Sequence, residues 1–262
     1  MKKALFLILV LFIAAMAYAR EFRIISLAPN TTEILFALGL GDSVVAVDEY
    51  SNYPDEVKEI ERIGTFLRPN IEKIILLKPD YILTNAGMAE DKAQYLESKG
   101  IKIIRVSPGN VEELMKDMQR VGNIFNRKRQ ADSIVASIKN RTRDLPGVRK
   151  GARPRVFVQL FDDPLVTVSS FIDDVIRIAG GKNIAGDVRS DSGLFSLEEL
   201  IARDPDIIID MGFSRQSGFP SSINAVKNKR IIKGMDPDIL LRPGPRIIDA
   251  IEELNRLFYE KS

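Results

Sequence analysis

The sequence predicts an α/β protein in two similar halves, and two observations carry that expectation. Short apolar runs alternate with amphipathic patterns of period 3.6 on both sides of one long helical stretch, residues 110–145, and neither half continues across it. The segments Asn70-Ile-Glu-Lys-Ile-Ile-Leu-Leu-Lys-Pro-Asp-Tyr-Ile-Leu83 and Ser196-Leu-Glu-Glu-Leu-Ile-Ala-Arg-Asp-Pro-Asp-Ile-Ile-Ile209 also match through cap, helix, Pro-Asp turn and strand.

At the amino end, Lys2 and Lys3 precede the apolar run Ala4 to Ala15, and Ala17-Tyr18-Ala19 fits the small-x-small rule of signal peptidase. Residues 1–19 therefore read as a signal peptide cleaved after Ala19, since the run is shorter than the ~20 residues that span a bilayer. With no cysteine in the sequence, neither a lipid-modified cysteine nor a disulfide is expected. A free periplasmic protein is the expectation.

Residues 20–109 form the expected first lobe. Arg23 to Leu27 reads as a strand, and Asn30 with Glu33 reads as a capping box ahead of a helix closed by Gly39. Strands follow at Val44 to Val47, Asp80 to Thr84 and Lys102 to Val106, with helices at Ile71 to Leu77 and Ala89 to Lys99. Such alternation predicts a parallel sheet covered by helices on both faces, with ligands met beyond the carboxyl ends of the strands. The loops there hold Pro29 in Ala28 to Thr32, Tyr50 and Tyr53 in Asp48 to Pro54, Phe66 in Gly64 to Pro69, and Asn85 in Asn85 to Met88. Exposed loop aromatics are stacking surfaces for a large flat ligand, or else lids on the core.

Residues 110–150 are read as a helical connector. Asn110 and Glu113 make a capping box, Pro146 and Gly147 stop the pattern, and a break is expected near Gly122 to Asn126 because an unbroken helix would run about 50 Å. The part from about 127 to 145 is the expected spine helix. In the second lobe, residues 151–262, strands are expected at Val156 to Phe161 and Asp206 to Asp210. Helices are expected at Ile172 to Ala179, opened by Ser170 with Asp173, at Leu197 to Arg203, and at Pro245 to Tyr259. Glu72 and Glu198 occupy one position of the internal repeat. There they either complement a helix dipole or form symmetric acidic contacts for a partner with two basic sites.

Composition narrows the chemistry. The 262 residues carry 38 basic and 36 acidic side chains spread along the chain, so no basic stripe suggests nucleic acid. The absence of His and Cys removes the usual zinc and copper sites and both Ser-His-Asp and Cys-His nucleophilic machinery. No Gly-x-Gly-x-x-Gly or Walker loop follows a strand, which argues against a nucleotide cofactor.

Taken together, Arg23 to Gly39, Tyr50-Ser-Asn-Tyr-Pro54, Ile63-Gly64, Asn70 to Leu83, Phe195 to Asp210 and Pro245-Arg246-Ile247 resemble the periplasmic binding proteins of the cobalamin, haem and siderophore class. These are the soluble receptors of ABC importers. The resemblance implies two Rossmann-like lobes joined by a long rigid helix, with a ligand cleft between them. It further implies Glu72 and Glu198 docking on arginines of the inner-membrane permease, and a receptor that acts as a monomer without a cofactor or metal of its own. Within the class, Tyr50 to Pro54 and Asp238-Ile-Leu-Leu-Arg242 look most like cobalamin-binding proteins, where the matching Tyr, Asp and Arg line the corrin pocket. Phe66 falls where those proteins place a tryptophan, and Asn85 and Ser192 fall roughly where further stacking residues would stand.

The resemblance implies a corrinoid as ligand. The alternatives are haem, with Tyr50 or Tyr53 as a phenolate ligand, and a ferric siderophore, with Arg215 or Arg242 as partner. An exported α/β enzyme using carboxylates such as Asp48, Glu49, Asp162 or Asp163 is the remote competitor, and no catalysis is expected.

Overall fold

The structure is a computed structural model and describes residues 22–85, 87–146, 153–162, 165–167, 170–188, 193–213 and 218–259. The expected leader, Asp163, Ser192 and Arg215 lie outside these described residues. The chain divides into two compact units, one of residues 22–32 with Leu40–Arg105 and the other of Glu33–Gly39 with residues 106–259.

The first unit is built on a parallel sheet of β1 (Ile24–Ser26), β2 (Val44–Val47), β3 (Tyr81–Thr84) and β4 (Lys102–Arg105), in the order β2-β1-β3-β4. Its helices are the start of α1 (Pro29–Ala37), then α2 (Ile71–Leu77) and α3 (Glu90–Ser98). Ile25, Ala46, Ile74, Ile82 and Leu96 pack into one buried cluster, which joins the apolar faces of sheet and helices and accounts for the alternation in the sequence.

The second unit repeats the plan with β5 (Arg155–Asp162), β6 (Leu165–Thr167), β7 (Lys182–Asn183), β8 (Ile207–Asp210) and β9 (Ile231–Lys233). β7, β8 and β9 run parallel to β5 or to each other, whereas β6 pairs antiparallel with β5 through a bulge. Around the sheet lie α4 (Val111–Ile124), α5 (Lys128–Arg143), α6 (Phe171–Ile178), α7 (Leu197–Arg203), α8 (Asn224–Lys227), α9 (Pro237–Leu241) and α10 (Ile247–Tyr259). Phe157, Phe195, Leu200, Ile208 and Ile223 form its buried cluster.

Residues 110–146 fold as two helices, α4 and α5, that pack on each other and group with the second unit. The break falls at Phe125 to Arg127, where Gly122 lets the helices close: a Cβ on Gly122 would sit 2.6 Å from that of Ala131. Asn110 caps α4 by accepting from the Glu113 N–H at 2.8 Å, while the Glu113 carboxylate accepts from Gly109 N–H at 2.7 Å.

Two expected caps are corrected. α1 begins at Pro29, whose fixed φ suits the first helical position, so Asn30 lies inside the first turn and Glu33 is drawn to Arg246 instead. Ser170 enters α6 with φ 59° and makes no side-chain cap bond, because a cap needs extended backbone at that residue. The elements without a forecast, β6, β7, β9, α8 and α9, are each five residues or fewer and leave little periodicity to read.

The internal repeat is physical. Asn70 Oδ1 accepts from Lys73 N–H and Ser196 Oγ from Glu199 N–H, both at 3.0 Å. Both helices end on a left-handed residue, Lys78 (φ 47°) and Asp204 (φ 39°), before the Pro-Asp pair. Asp80 accepts from Arg23 N–H at 3.0 Å and Asp206 from Arg155 N–H at 2.8 Å. The guanidinium of Arg23 donates to the Leu77 carbonyl, and that of Arg155 to the equivalent Arg203 carbonyl. Each pair satisfies a helix-end carbonyl and fixes the start of a strand.

Candidate ligand-binding site

In the first unit, the carboxyl ends of the strands carry the expected loop residues. Pro29 opens α1 directly after β1. Tyr50 follows β2 and is 60% exposed, while its backbone is held: Asp48, fully buried, accepts from Tyr50 N–H at 3.0 Å and from Ser51 Oγ. Ser51 Oγ lies 2.7 Å from Thr32 Oγ1, which donates to Ser26 Oγ at 2.8 Å, and Arg62 donates to the Asp48 and Ser51 carbonyls. A loop held at its backbone thus presents an exposed aromatic side chain, which lowers the ordering cost of binding a flat ligand.

Phe66 is half-buried and packs on the edge of the core. Its ring lies over Gly87, where a Cβ would stand 2.4 Å from Cε2. Asn85 accepts from Gly87 N–H at 2.9 Å and so shapes that seat. Glu49 N–H donates to the Gly64 carbonyl at 3.0 Å, joining the Tyr50 loop to the Phe66 loop. Phe66, Asn85 and Gly87 are therefore brought together, with Tyr50 in the adjoining loop. Sequence reading missed Gly87, although a small residue just after Asn85 was visible in the strand-end loop.

In the second unit, Asp238 and Arg242 meet at 2.7 Å. Arg242 also approaches Glu33 at 3.5 Å, and Arg246 grips Glu33 with two bonds of 2.9 and 2.6 Å. Glu33 is only 3% exposed, so a buried carboxylate is compensated by two guanidiniums, and Gly244 lies close enough that a Cβ would come 3.3 Å from its Oε2. Glu33 and Arg246 are additions to the expected pair; the helix pattern of α1 hid Glu33 as a cap. The second addition is aromatic. Phe161 and Phe213 are both exposed, with ring centroids 5.8 Å apart, one ending β5 and the other following β8.

Glu72 and Glu198 are exposed on the first turns of α2 and α7. Aliphatic side chains accompany them: Leu76, one turn from Glu72, is 78% exposed, and Leu197 and Ile201 beside Glu198 are exposed as well. Among the described residues, no group of three or more acidic side chains is placed to hold a metal ion, and no helix is long and apolar enough to cross a membrane.

The chain is thus an α/β fold in two units, with aromatic side chains in the loops beside the strand ends and a buried ion cluster joining α1 to the turn between α9 and α10. Residues 24–238 match the periplasmic binding protein family, and the chain belongs to it. It is 32% identical over 256 residues to an uncharacterized ABC transporter substrate-binding lipoprotein, YvrC, of Bacillus subtilis, covering 90% of this chain and 80% of that one. The solved vitamin B12 binding protein BtuF of Vibrio cholerae is 30% identical, with a TM-score of 0.80 over 90% of this chain and 96% of that one. The heme binding protein HutB of Vibrio cholerae has the same TM-score, 0.80, over 92% and 100% of the two chains at 22% identity, a likeness of fold alone.

Proposed function

We propose that this chain is an exported receptor that captures a corrinoid of the cobalamin type and delivers it, chemically unchanged, to the permease of an ABC transporter. The observation that carries this reading is the set of preorganised aromatic rings at the carboxyl ends of the strands: Tyr50 on its clamped loop, Phe66 on its Gly87 seat, and the Phe161–Phe213 pair. A corrin ring offers a flat apolar face to such rings and a rim of amides to polar side chains. Asp238 and Arg242 supply polar groups of both signs, and the likeness to BtuF at 30% identity supports the same ligand class.

Haem or another ferric chelate is the second reading, favoured by the exposed phenols of Tyr50 and Tyr53, either of which can ligate iron. Thermal-shift titration of the purified protein with cyanocobalamin, haemin and ferric siderophores separates the two. Saturable stabilisation by cyanocobalamin is expected; stabilisation by haemin alone transfers the function to the second reading.

The permease contact is assigned to Glu72 and Glu198, each with its neighbouring exposed aliphatics, facing arginines of the permease. Glu72→Ala combined with Glu198→Ala is expected to leave cyanocobalamin affinity within about twofold and to abolish most transport in a reconstituted importer. A large loss of ligand affinity would count against the assignment.

A further inference from the structure

The parallel pairings of β5, β8 and β9 in the second unit end on a polar rung. Thr167, Gln159, Asp210 and Lys233 are paired in register across β6, β5, β8 and β9. Directly paired residues point to one face of a sheet, so the Gln159 amide and the Asp210 carboxylate stand side by side. Gln159 is 1% exposed, and its Oε1 has no hydrogen-bond partner. Asp210 is also buried; one oxygen accepts from Gly212 N–H at 2.9 Å and the other faces the Lys233 ammonium at 3.6 Å. A bulge between Gln159 and Phe161 re-aims the end of β5, placing Phe161 against Phe213.

Buried polar atoms are nearly always paired, so an unpaired one calls for a reason. Among the described residues, the only other buried side-chain polar atom without a partner is Thr84 Oγ1, at the last residue of β3 in the first unit. Thr84 occupies the repeat position of Asp210, since Asp80 and Asp206 match in the repeat and each is followed four residues later by one of these two. The unpaired atoms thus fall on the last parallel pair of β3 with β4 and of β5 with β8, the end at which an open parallel sheet meets its ligand.

We propose that the Gln159–Asp210 rung is the polar half of a ligand subsite whose apolar half is the Phe161–Phe213 pair, and that it selects ligands bearing amide N–H groups on their rim. This rests on the reading of the chain as a receptor for a flat macrocyclic ligand and names the feature by which it tells one such ligand from another. Gln159 Oε1 and the Asp210 carboxylate are acceptors, and only a donor satisfies them. A peripheral carboxamide donates. An ionised carboxylate only accepts, and it would set its charge beside that of Asp210, which Lys233 offsets in part. The rung therefore favours an amide-rimmed corrinoid over a propionate-bearing tetrapyrrole, the kind of discrimination a buried polar group gives and an apolar pocket cannot.

The test measures binding of cyanocobalamin and of its separated peripheral monocarboxylic acids to the purified protein. The wild type is expected to bind cyanocobalamin at least about tenfold more tightly than one or more of the acids. Gln159→Leu should lose about tenfold in cyanocobalamin affinity, bring the ratio towards one, and leave the melting temperature unchanged or higher, because it removes an unpaired buried group. Phe161→Ala should weaken all these ligands alike. Gln159→Leu binding every ligand as the wild type does would overturn the inference while leaving the receptor reading intact. A wild type that binds no corrinoid would remove that reading and this inference together.

Discussion

The two halves agree at the amino ends of their strands and differ at the carboxyl ends. At the amino ends, Arg23 with Asp80 and the Leu77 carbonyl is matched partner for partner by Arg155 with Asp206 and the Arg203 carbonyl, though Arg23 donates through two nitrogens and Arg155 through one. Four residues after each of those arginines the likeness stops: Leu27 stands in the first half and Gln159 in the second, and the neighbouring strands carry Thr84 and Asp210. The shared end closes helix carbonyls and strand starts, so any change there costs folding. The divergent end is the one at which an open parallel sheet meets its ligands, where side chains are free of that folding constraint.

The largest departure from the repeat is α1, whose residues from Glu33 onward group with the second unit. Glu33 there is a buried carboxylate bonded by Arg246 and approached by Arg242, and the second half has no described counterpart to it. Removing one member of such a buried group leaves uncompensated charge, so Glu33→Ala is expected to lower stability by about 3–5 kcal/mol in urea unfolding. Adding Arg246→Met should restore much of that loss. A cost below about 1 kcal/mol would show that solvent already screens the cluster and that α1 is held by its apolar face alone.

Next in size is the Phe66 seat of the first half. A methyl at Gly87 would overlap the Phe66 ring, and the side chain is the part free to move. Gly87→Ala should therefore tilt the ring and weaken cyanocobalamin binding by about tenfold, or ~1.4 kcal/mol. In a Phe66→Ala background the same change should cost nothing further, since the two act through one contact. Additive losses would separate Gly87 from Phe66.

The third effect probes the likeness itself. Asp80→Ala and Asp206→Ala each remove one carboxylate acceptor for a strand-start N–H, and each should cost about 1–2 kcal/mol, with faster hydrogen exchange confined to the Arg23 amide in one variant and the Arg155 amide in the other. Costs that differ by more than about 1 kcal/mol would break the equivalence of the two modules.

How far the chain could be read in advance follows from where these features sit. α2, α7 and β2 were legible to the residue because cap, apolar period and turn lie within one window: Asn70 and Ser196 do in space what their spacing announces. The helical hairpin was legible as a break near Gly122 to Asn126, but its grouping with the second unit was not, because α5 is bound to α10 by Arg141 pairing with Asp249 and Glu252, more than one hundred residues away. At the candidate site, the loops that hold Tyr50, Phe66 and Asn85 were legible, and Phe66 and Asn85 do meet, at Gly87. Glu33 and Gly87 could not be read in this way, since a carboxylate's partner and the space beside a glycine are set by tertiary packing. Phe161 and Phe213 carried the signal of aromatic residues at strand ends, and the bulge that exposes Phe161 leaves no mark in the sequence.

The smallest effect concerns acid, and it separates two carboxylates of the second half. Hydrogen bonds from Arg141, across α5 and α10, hold the Glu252 carboxyl below the usual range against the opposing effect of burial. A depressed carboxylate contributes stability above its unfolded value of about 4.3 and loses it as the pH falls through the folded value. Arg141→Ala should thus lower stability at pH 7 and make little difference at pH 3. Both side chains are more than a third exposed, so the loss should be a few tenths of a kcal/mol to about 1 kcal/mol. Asp173 runs the other way: burial first, and the charge of Asp174 second, push its carboxyl up. Its ionised form penalises the folded state once the pH passes the unfolded carboxylate range, so Asp173→Asn should gain stability at pH 7 and none at pH 3. Urea unfolding of the two variants at both pH values reads the opposite signs directly, and equal signs would mean that the acid response of the second half is set by its overall charge and not by these two contacts.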